Sequence, residues 1–534
     1  MPEYLAPGVY VEEVSSGNKP IAGVSTSTAG FVGGTERGPL APQFITSWLE
    51  FQRWYGGYTE SSYLAYAIEG FFTNGGQRCF VARVVRNGAT IAKTTYDSTL
   101  NIVAIGPGKW GDSVGIVVEE ASLAKDLVPQ NPREEAIKRW VKITVNFGTI
   151  NEVYDNLTLE LGKSNNIATT INAASRLVRV WLEDGLQPDA QLTHSPMTDV
   201  QNEQDPGAAP LKAPELEKLK GGLDGAAPLV REDFKGNQDP IDVPKPGQTD
   251  PPAELLSRGV GLSALELVDE VSLLVVPDQA HDDQYQVLTG VVIEQCERLK
   301  DRFAIVSAPL GKSSINDLRP PLDTTYAGFY YPWIKVYDPL TNYSKKVPCV
   351  GHVAGIFART DIERGVHKAP ANEVVRGALD LEFPVTKTMQ DILNPRGVNC
   401  MRDFRSDGRG LRLWGARTMS SDPEWRYVNV RRLFLFVEES IDEGTQWVVF
   451  EPNDDSTWAK VRRNITNFLI SVWRSGALMG LTADEAFFVA CDRTTMTQDD
   501  IDNGRLICVI GIAPVKPAEF IIFRISQKTS DSAG

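Results

Sequence analysis

The sequence predicts a mixed α/β protein with a β-rich insertion, and three features carry this prediction. Residues 271–309 place an amphipathic helix between two apolar strands, the pattern of a parallel strand–helix–strand unit. Residues 456–475 have the apolar periodicity of a helix, and two apolar runs, 506–512 and 520–525, follow it as predicted strands. Residues 101–161 contain three strand-like runs in succession.

The size and charge of the chain limit what it can do. With 534 residues it is too long for one ordinary domain, so two or three are expected. Its net charge of −15 argues against nucleic-acid binding, which requires a basic surface. We find no run of about 18 apolar residues and therefore expect no membrane insertion. The first residues lack the basic and apolar regions of a signal peptide, so no secretion by that route is expected.

The cysteines and histidines predict neither a metal site nor a cofactor. The six cysteines are scattered at 79, 296, 349, 400, 491 and 508, with no C-x-x-C spacing. In a long chain without a predicted signal peptide we expect them to be reduced core residues. The four histidines do not cluster near them, so zinc binding is not predicted.

The N-terminal residues 1–20 are predicted to form an extended arm. Val9, Tyr10 and Val11 lie in a strand-like segment between Pro7 and the turn residues 17–20. The alternative is a frayed terminus, the usual state of chain ends that nothing holds in place. We favour the arm because these three side chains are suited to a β-strand.

The elements that follow alternate between the two kinds of secondary structure. A helix is predicted over 62–76 and a buried strand over 79–85. Residues 91–250 begin as strands, and from about 185 to 252 the composition turns to Pro, Asp, Gly, Gln and Lys. This composition predicts a long surface loop that is mobile.

The helix predicted over 456–475 has two distinct faces. Its apolar face comprises Trp458, Val461, Ile465, Phe468, Leu469, Val472 and Trp473. The opposite face carries Lys460, Arg463, Asn467 and Arg474. Residues 455–457 offer N-caps, and Gly476 is a C-terminal stop.

Three apparent catalytic motifs lack the context that their chemistry needs. Residues 111–115 match the G-x-S-x-G nucleophile elbow, but a predicted strand follows them where a helix is required. Residues 311–313 resemble the end of a phosphate loop, but the first glycine of that motif is missing and prolines interrupt the next segment. Asp278 and His281 have no nucleophile-bearing motif beside them. The sequence therefore predicts no enzyme, with no catalytic residue, cofactor or metal.

Several blocks of the sequence, in one order, resemble the contractile tail sheath proteins of phage tails and of related contractile injection systems. In the C-terminal part they are YVNVRR (427–432), FEPND (450–454), TWAKVRRNI (457–465), GAL (476–478), CD (491–492) and IAPVKPAEFI (512–521). Upstream blocks are PGKWGDSVGI (107–116), GHVAGIFARTDIERGVHKAPAN (351–372) and LRLWGARTM (411–419). One departure is His367, which stands where the family usually has tryptophan.

The resemblance implies a domain plan for the chain. It places an inter-subunit arm at 1–20, the first part of an inner sheath domain at 21–90 and an outer β-rich insertion at 91–250. It then places an α/β domain of subtilisin-like topology at 251–420, a C-terminal sheath domain at 421–518 and an inter-subunit strand with its tail at 519–534.

The resemblance also implies a structural function. Sheath subunits form helical homo-oligomers, commonly of six-fold rings, around an inner tube protein, together with baseplate and terminal cap proteins. They assemble in the cytoplasm as part of a phage-tail-like particle and contract from an extended state. We expect the same here, with no nucleic acid among the partners.

Two groups of residues are the candidate assembly sites. The inter-subunit strands would use Val9, Tyr10 and Val11 at one end and Phe520, Ile521, Ile522, Phe523 and Ile525 at the other, because exposed strands can extend a neighbour's sheet. Lys460, Arg463 and Arg474 would face the tube, although a merely solvated polar face explains them equally well. A non-contracting fibre or baseplate component and a cytoplasmic α/β hydrolase remain as alternatives.

Overall fold

A computed structural model describes residues 20–183, 190–200, 211–226, 229–236, 259–280 and 285–524. Within these ranges the chain forms two compact units. The larger unit comprises residues 27–359 and 370–426, and the smaller comprises the residues up to 26, 360–369 and those from 427 onward. Among the described residues, none of the helices combines the length and apolarity needed to cross a bilayer.

The strands are numbered in chain order. They are β1 Ala29–Gly33, β2 Gln43–Ile45, β3 Cys79–Arg83, β4 Ala89–Thr90, β5 Lys93–Tyr96, β6 Leu100–Ala104, β7 Val114–Glu120, β8 Val141–Phe147, β9 Ile150–Leu157, β10 Val178–Leu182, β11 Met197–Val200, β12 Leu211–Pro214, β13 Glu217–Lys218, β14 Leu223–Asp224, β15 Leu273–Val275, β16 Phe303–Ser307, β17 Ala327–Tyr331, β18 Ile334–Asp338, β19 Tyr343–Val347, β20 Glu373–Val374, β21 Asp380–Leu381, β22 Val398–Phe404, β23 Gly410–Leu413, β24 Phe487–Ala490 and β25 Val509–Ile512.

The α-helices are numbered in the same way. They are α1 Trp48–Tyr55, α2 Leu64–Thr73, α3 Pro132–Lys138, α4 Ile167–Ala174, α5 Arg231–Lys235, α6 Gly261–Leu265, α7 Tyr285–Leu299, α8 Val350–Arg364, α9 Lys387–Leu393, α10 Val428–Thr445, α11 Asp455–Arg474, α12 Ala483–Ala486 and α13 Gln498–Asp502.

A nine-stranded sheet is the centre of the larger unit, in the order β2-β3-β1-β15-β16-β17-β22-β23-β20. The six strands from β3 to β22 are parallel, and β2, β23 and β20 extend the two edges as antiparallel strands. The predicted strand–helix–strand unit is confirmed: β15 and β16 are parallel neighbours, and α7 connects them. Their continuous apolar sequences follow from burial on both faces of a parallel sheet.

The insertion forms a second core within the larger unit. Its principal sheets are β10-β6-β5 and β13-β7-β8-β9, which pack inward side chains such as Ile102, Val118, Ile143 and Val180. The prediction that this region is β-rich is confirmed.

About half of the predicted mobile loop, 185–252, lies outside the described residues. The prediction of a continuous loop was wrong for the described half, which forms β11 to β14 and α5 and buries Leu192, Leu219 and Phe234 against the cores of the larger unit. The outward placement of the insertion stays a prediction.

The structure shows that two of the apparent catalytic motifs lack the local structure that their chemistry requires. Residues Lys109–Ser113 form a 3₁₀ turn that leads directly into β7, so Ser113 is not held in a strand–turn–helix elbow. Residues 311–313 form a turn, and no helix follows before β17. Asp278 accepts hydrogen bonds from the Ser62 hydroxyl at 2.7 Å and from the Tyr63 amide at 2.7 Å. His281 lies outside the described residues.

The smaller unit is built on two long helices, α10 and α11. Their facing side chains form its core, in which Leu433 and Val437 of α10 lie with Val461, Ile465 and Leu469 of α11. The two-stranded sheet β24-β25 and the short helix α13 complete this core. Both ends of the described chain therefore belong to the smaller unit.

Candidate assembly site

Helix α11 is the most amphipathic element of the smaller unit, and its predicted inward face is confirmed. Its buried apolar residues are Trp458, Val461, Ile465, Phe468, Leu469 and Val472, and Trp473 is half-buried. The predicted N-cap was wrong by one residue. The cap is Asp454, whose carboxylate accepts a hydrogen bond from the Thr457 amide at 2.8 Å, and this bond lowers the pKa of that carboxyl group.

The outward face of α11 forms a cationic stripe, which we define as Ser456, Lys460, Arg463, Asn467, Ser471 and Arg474. At 100° per residue these positions fall on one side of the helix, and all six side chains are exposed. The stripe carries three positive charges and no acidic residue, on a chain whose net charge is −15. It can therefore attract an anionic surface, although contact with a tube stays a prediction.

Sheet β24-β25 has apolar side chains on its outward face. The ring of Phe488 is exposed and lies over Gly511 on the opposite strand, where a Cβ atom would approach the ring to 2.1 Å. Any larger residue at 511 would displace this ring. Within the described residues each strand of this sheet pairs only with the other, apart from a bridge between Leu478 and Pro514 just beyond β25. A sheet of only two strands is marginally stable by itself, and the backbone groups at its two edges can pair with further strands.

The chain that leaves β25 is anchored at its beginning by α10. The Asn429 side-chain amide donates to the Val515 carbonyl at 3.2 Å and to the His367 carbonyl at 2.8 Å. The Tyr427 hydroxyl donates to the Glu519 carboxylate at 3.2 Å. These contacts fix the root of the C-terminal segment, which we define as residues 513–519.

Beyond this root the chain is apolar and exposed. Phe520, Ile521, Ile522 and Phe523 have 72%, 74%, 79% and 84% of their surfaces accessible to solvent. The strand predicted for this end is absent from 519–524, and Ile525 lies outside the described residues. A strand needs a partner backbone, and within the described chain none lies beside these residues. Pairing with a neighbouring subunit stays a prediction.

The root of the N-terminal segment, residues 20–26, also lies against α10. The Val24 amide donates to the Ser440 hydroxyl at 3.1 Å, and Ile21 packs over Gly444. The Thr26 hydroxyl donates to Asp361 at 2.7 Å. Val9, Tyr10 and Val11 lie outside the described residues, so their predicted role is not tested.

One motif thus supplies the anchors for both ends. Tyr427, Asn429 and Arg432 all belong to the YVNVRR block, and Arg432 donates to the Thr26 carbonyl at 2.8 Å. Sequence analysis identified the block but assigned it no role. The feature of the sequence that could have revealed this role is a run of polar residues inside an apolar helix. Asn429, Arg431 and Arg432 are all buried, and buried polar residues need partners.

No residues in the described ranges bring together three histidine, cysteine or carboxylate groups that could hold a metal ion. The six cysteines are free; five are buried and Cys508 is half-buried, as predicted for reduced core residues.

Comparisons with known proteins place these elements in one class. Residues 260–419 match the family described as phage tail sheath protein central domain, and residues 420–528 match the phage tail sheath C-terminal domain. The putative prophage major tail sheath protein of Pseudomonas aeruginosa (strain UCBPP-PA14) is 30% identical over 201 residues, which cover 36% of this chain and 49% of that one. The tail sheath protein of Enterobacteria phage T4 is 26% identical over 204 residues, 38% of this chain and 30% of that one.

Solved structures extend the likeness across nearly the whole chain. The anti-feeding prophage helical sheath in its contracted state gives a TM-score of 0.57 at 24% identity, covering 98% of this chain and 99% of that one. The sheath complex of an extracellular contractile injection system, PVC, also contracted, gives 0.55 at 22% identity and covers 99% of each chain. At these identities the likeness establishes the fold.

The matched domains are those of phage tail sheath proteins. The matched segments span half or less of the two curated relatives. The two family matches together cover residues 260–528. They show that the chain belongs to the contractile tail sheath protein family. The prediction of a mixed α/β sheath fold is confirmed.

Proposed function

We propose that this chain is the sheath subunit of a contractile, phage-tail-like injection machine. It would polymerise helically around an inner tube and contract from an extended state to drive that tube through a target envelope. The observation that carries the proposal is the exposed apolar segment 520–523, which leaves an anchored root beside a sheet with open edges. A segment of this kind is stabilised when a second copy supplies its partner strand.

The contact that this segment would form can propagate without limit. Strand addition is a heterologous contact, in which one surface of a subunit meets a different surface of the next. When the operation relating two subunits includes a rise, such contacts do not close into a ring and instead build a filament. Sheet β24-β25 is the acceptor that we infer, since Phe488 and Val509 are exposed on it and, in the described part of the chain, its strands pair only with each other apart from the Leu478–Pro514 bridge.

The anchored roots supply the means of contraction. Residues 20–26 and 513–519 are held on α10, so each strand donated beyond them stays attached to a fixed point. Subunits could then change their orientation while the donated strands remain paired. We infer that the extended sheath is metastable and that contraction releases free energy by enlarging the contacts between subunits.

The partners follow from the same proposal. The cationic stripe on α11 would contact the inner tube, and baseplate and cap proteins would close the two ends of the sheath. We propose no catalytic activity and no cofactor, because the function is mechanical. Assembly in six-fold rings in the cytoplasm is part of the proposal, and the subtilisin-like topology of 251–420 remains an expectation.

Microscopy of the purified protein tests the proposal. Negative-stain images should show long ribbed tubes, and calorimetry on extended particles isolated with their tube should show an irreversible exothermic transition. Soluble monomers at assembly concentrations would overturn self-assembly. Tubes without an exotherm would favour the second candidate, a non-contracting tail or baseplate component. This candidate is retained because one similar structure is that of an anti-feeding prophage baseplate.

A further inference from the structure

Two cysteines face each other across the small sheet of the smaller unit. Strands β24 and β25 are antiparallel, and their last paired residues are Ala490 and Val509. The next residue on each chain is a cysteine, Cys491 after Ala490 and Cys508 before Val509. Both side chains belong to one hydrophobic core, in which Cys491 is buried and Cys508 packs against it.

The hydrogen-bond pattern of the sheet indicates whether the two cysteines occupy a hydrogen-bonded or a non-hydrogen-bonded position. The Ala513 amide donates to the Ala486 carbonyl directly opposite at 2.9 Å, which makes that pair a hydrogen-bonded one. Pairs alternate along an antiparallel ladder, so Ala490 and Val509 are a hydrogen-bonded pair, and the cysteines, one step beyond them, occupy the place of a non-hydrogen-bonded pair. In such pairs the Cα atoms are about 4.5 Å apart, within the range that a disulfide spans.

The surroundings of the pair favour a reactive thiolate. Cys491 is buried and Cys508 is half-buried, so the pair is reached from solvent on the Cys508 side. The neighbouring Cys508 thiol lowers the pKa of Cys491 and the Arg462 guanidinium acts in the same direction, and together they outweigh the opposing effects of burial and of the Asp492 carboxylate. The neighbouring Cys491 thiol, together with burial, raises the pKa of Cys508. Negative charge in the pair therefore concentrates on Cys491, and the thiolate is the form that reacts with oxidants.

We propose that Cys491 and Cys508 are a redox-sensitive dithiol that a peroxide converts to a disulfide, joining β24 to β25. The Cys491 thiolate attacks the peroxide, an S–O bond forms, the O–O bond breaks and hydroxide leaves. The Cys508 sulfur then attacks the sulfenic sulfur, an S–S bond forms, and the oxygen leaves as water with the proton of Cys508. Two thiols lose two electrons and two protons, and hydrogen peroxide becomes two molecules of water.

The consequence would be a more rigid sheet. The bond would close the loop 492–507, which contains α13, and would restrict the two strands between which Phe488 lies over Gly511. A particle that leaves a reducing cell would thus gain a covalent tie at the strands from which the C-terminal segment departs. The proposal rests on contacts inside one chain and does not depend on assembly.

The test is peptide mapping of the purified chain after treatment with hydrogen peroxide. Denaturation with an alkylating reagent should leave Cys491 and Cys508 unlabelled and joined in one linked peptide, while Cys79, Cys296, Cys349 and Cys400 are alkylated. Reduction with dithiothreitol should restore both labels. Hydrogen exchange should become slower in 487–512 after oxidation.

Matched variants separate this pair from general oxidation. C508S should form no link and should accumulate a sulfenic acid at Cys491 that dimedone traps, whereas C296S should form the link as the wild type does. Full alkylation of both cysteines after peroxide treatment, a link to any other cysteine, or a dimer on a non-reducing gel would each overturn the proposal. The wild-type map decides the question even where a variant fails to fold, and it does so whether or not sheath tubes form.

Discussion

Arg432 and Asp361 form a buried, two-pronged ion pair inside the smaller unit. The two guanidinium nitrogens lie 2.5 Å and 3.0 Å from the two carboxylate oxygens, and the side chains are 3% and 2% exposed. The same pair holds Thr26, whose hydroxyl donates to Asp361 and whose carbonyl accepts from Arg432. It therefore links the root of the N-terminal segment to α10 through charge-assisted hydrogen bonds.

The first prediction concerns this pair. Asp361→Asn should destabilise the chain by about 3–5 kcal/mol, because it leaves a guanidinium buried without its counter-charge. Urea denaturation, followed by the midpoint of unfolding, measures the loss. The double variant Asp361→Leu, Arg432→Met should recover most of it, since no charge is then left unpaired.

An exposed ion pair provides the control for this experiment. Arg493 and Asp455 are 3.2 Å apart, and their side chains are 67% and 73% exposed. Arg493→Ala should leave the unfolding midpoint almost unchanged, because exposed pairs contribute little. Equal losses in Asp361→Asn and Arg493→Ala would contradict the assigned importance of the buried pair.

The second prediction concerns the root of the C-terminal segment. Asn429→Ala removes the two hydrogen bonds to the carbonyls of Val515 and His367. One net hydrogen bond is worth about 1 kcal/mol, so amide exchange in 513–519 should be faster by about an order of magnitude. Hydrogen-exchange mass spectrometry reports this directly. Asn467→Ala, at an exposed position on α11, should leave the exchange of 513–519 as it is in the wild type.

Sequence reasoning recovered the elements better than the contacts that join them. The inward face of α11 and the β15-α7-β16 unit were predicted because periodicity and continuous apolar runs report burial directly. The pairing of Asp361 with Arg432 was not predictable, because 71 positions separate them along the chain and no local pattern reports their contact.

The candidate site shows the same limit. Phe520–Phe523 has the composition of a strand, but a strand is defined by its partner, and the described chain supplies none. Cys491 and Cys508 likewise looked like two isolated core residues, because only the β24-β25 register places them opposite each other. Lys460, Arg463 and Arg474 were correctly assigned to one exposed face, and the surface that this face meets is not encoded in the chain alone.

The third prediction concerns pH. His352 is buried at a close approach to Gly70, and burial lowers its pKa to about 4. In the unfolded chain a histidine has a pKa of about 6.5, so below that value the unfolded state binds the proton more strongly. The free energy of unfolding should therefore fall as the pH drops from about 6.5 towards 4, by on the order of 3 kcal/mol from this group.

Variants isolate the contribution of His352 from that of the carboxylates. His352→Gln should give a shallower loss of stability between pH 6.5 and 4.5 in urea denaturation, whatever its stability at pH 7. The exposed His194→Gln should reproduce the wild-type slope. A wild-type slope in His352→Gln would show that the imidazole is not held neutral.

The fourth prediction concerns the cationic stripe. Reversing the charge at Lys460 and Arg463 should abolish the assembly of extended sheath on its tube, because the stripe would repel the anionic surface it is proposed to meet. Circular dichroism should remain that of the wild type, since both side chains are exposed. Lys163→Glu, an exposed cation of the insertion, is the matched control and should assemble normally. Normal assembly of the Lys460→Glu, Arg463→Glu variant would leave the stripe as a solvated surface.

The fifth prediction concerns the exposed apolar segment. Replacing Phe520, Ile521, Ile522 and Phe523 by serine should prevent the formation of tubes, because the donated strand would lose the side chains that anchor it. The thermal midpoint of the unassembled chain should not fall, since these residues are at least 72% exposed. Serine at Val128 and Leu161, which are 76% and 83% exposed in the insertion, tests whether any loss of surface apolarity has this effect. If those control substitutions also prevent tubes, or if the tail variant still forms them, the C-terminal segment is not the element that joins one subunit to the next.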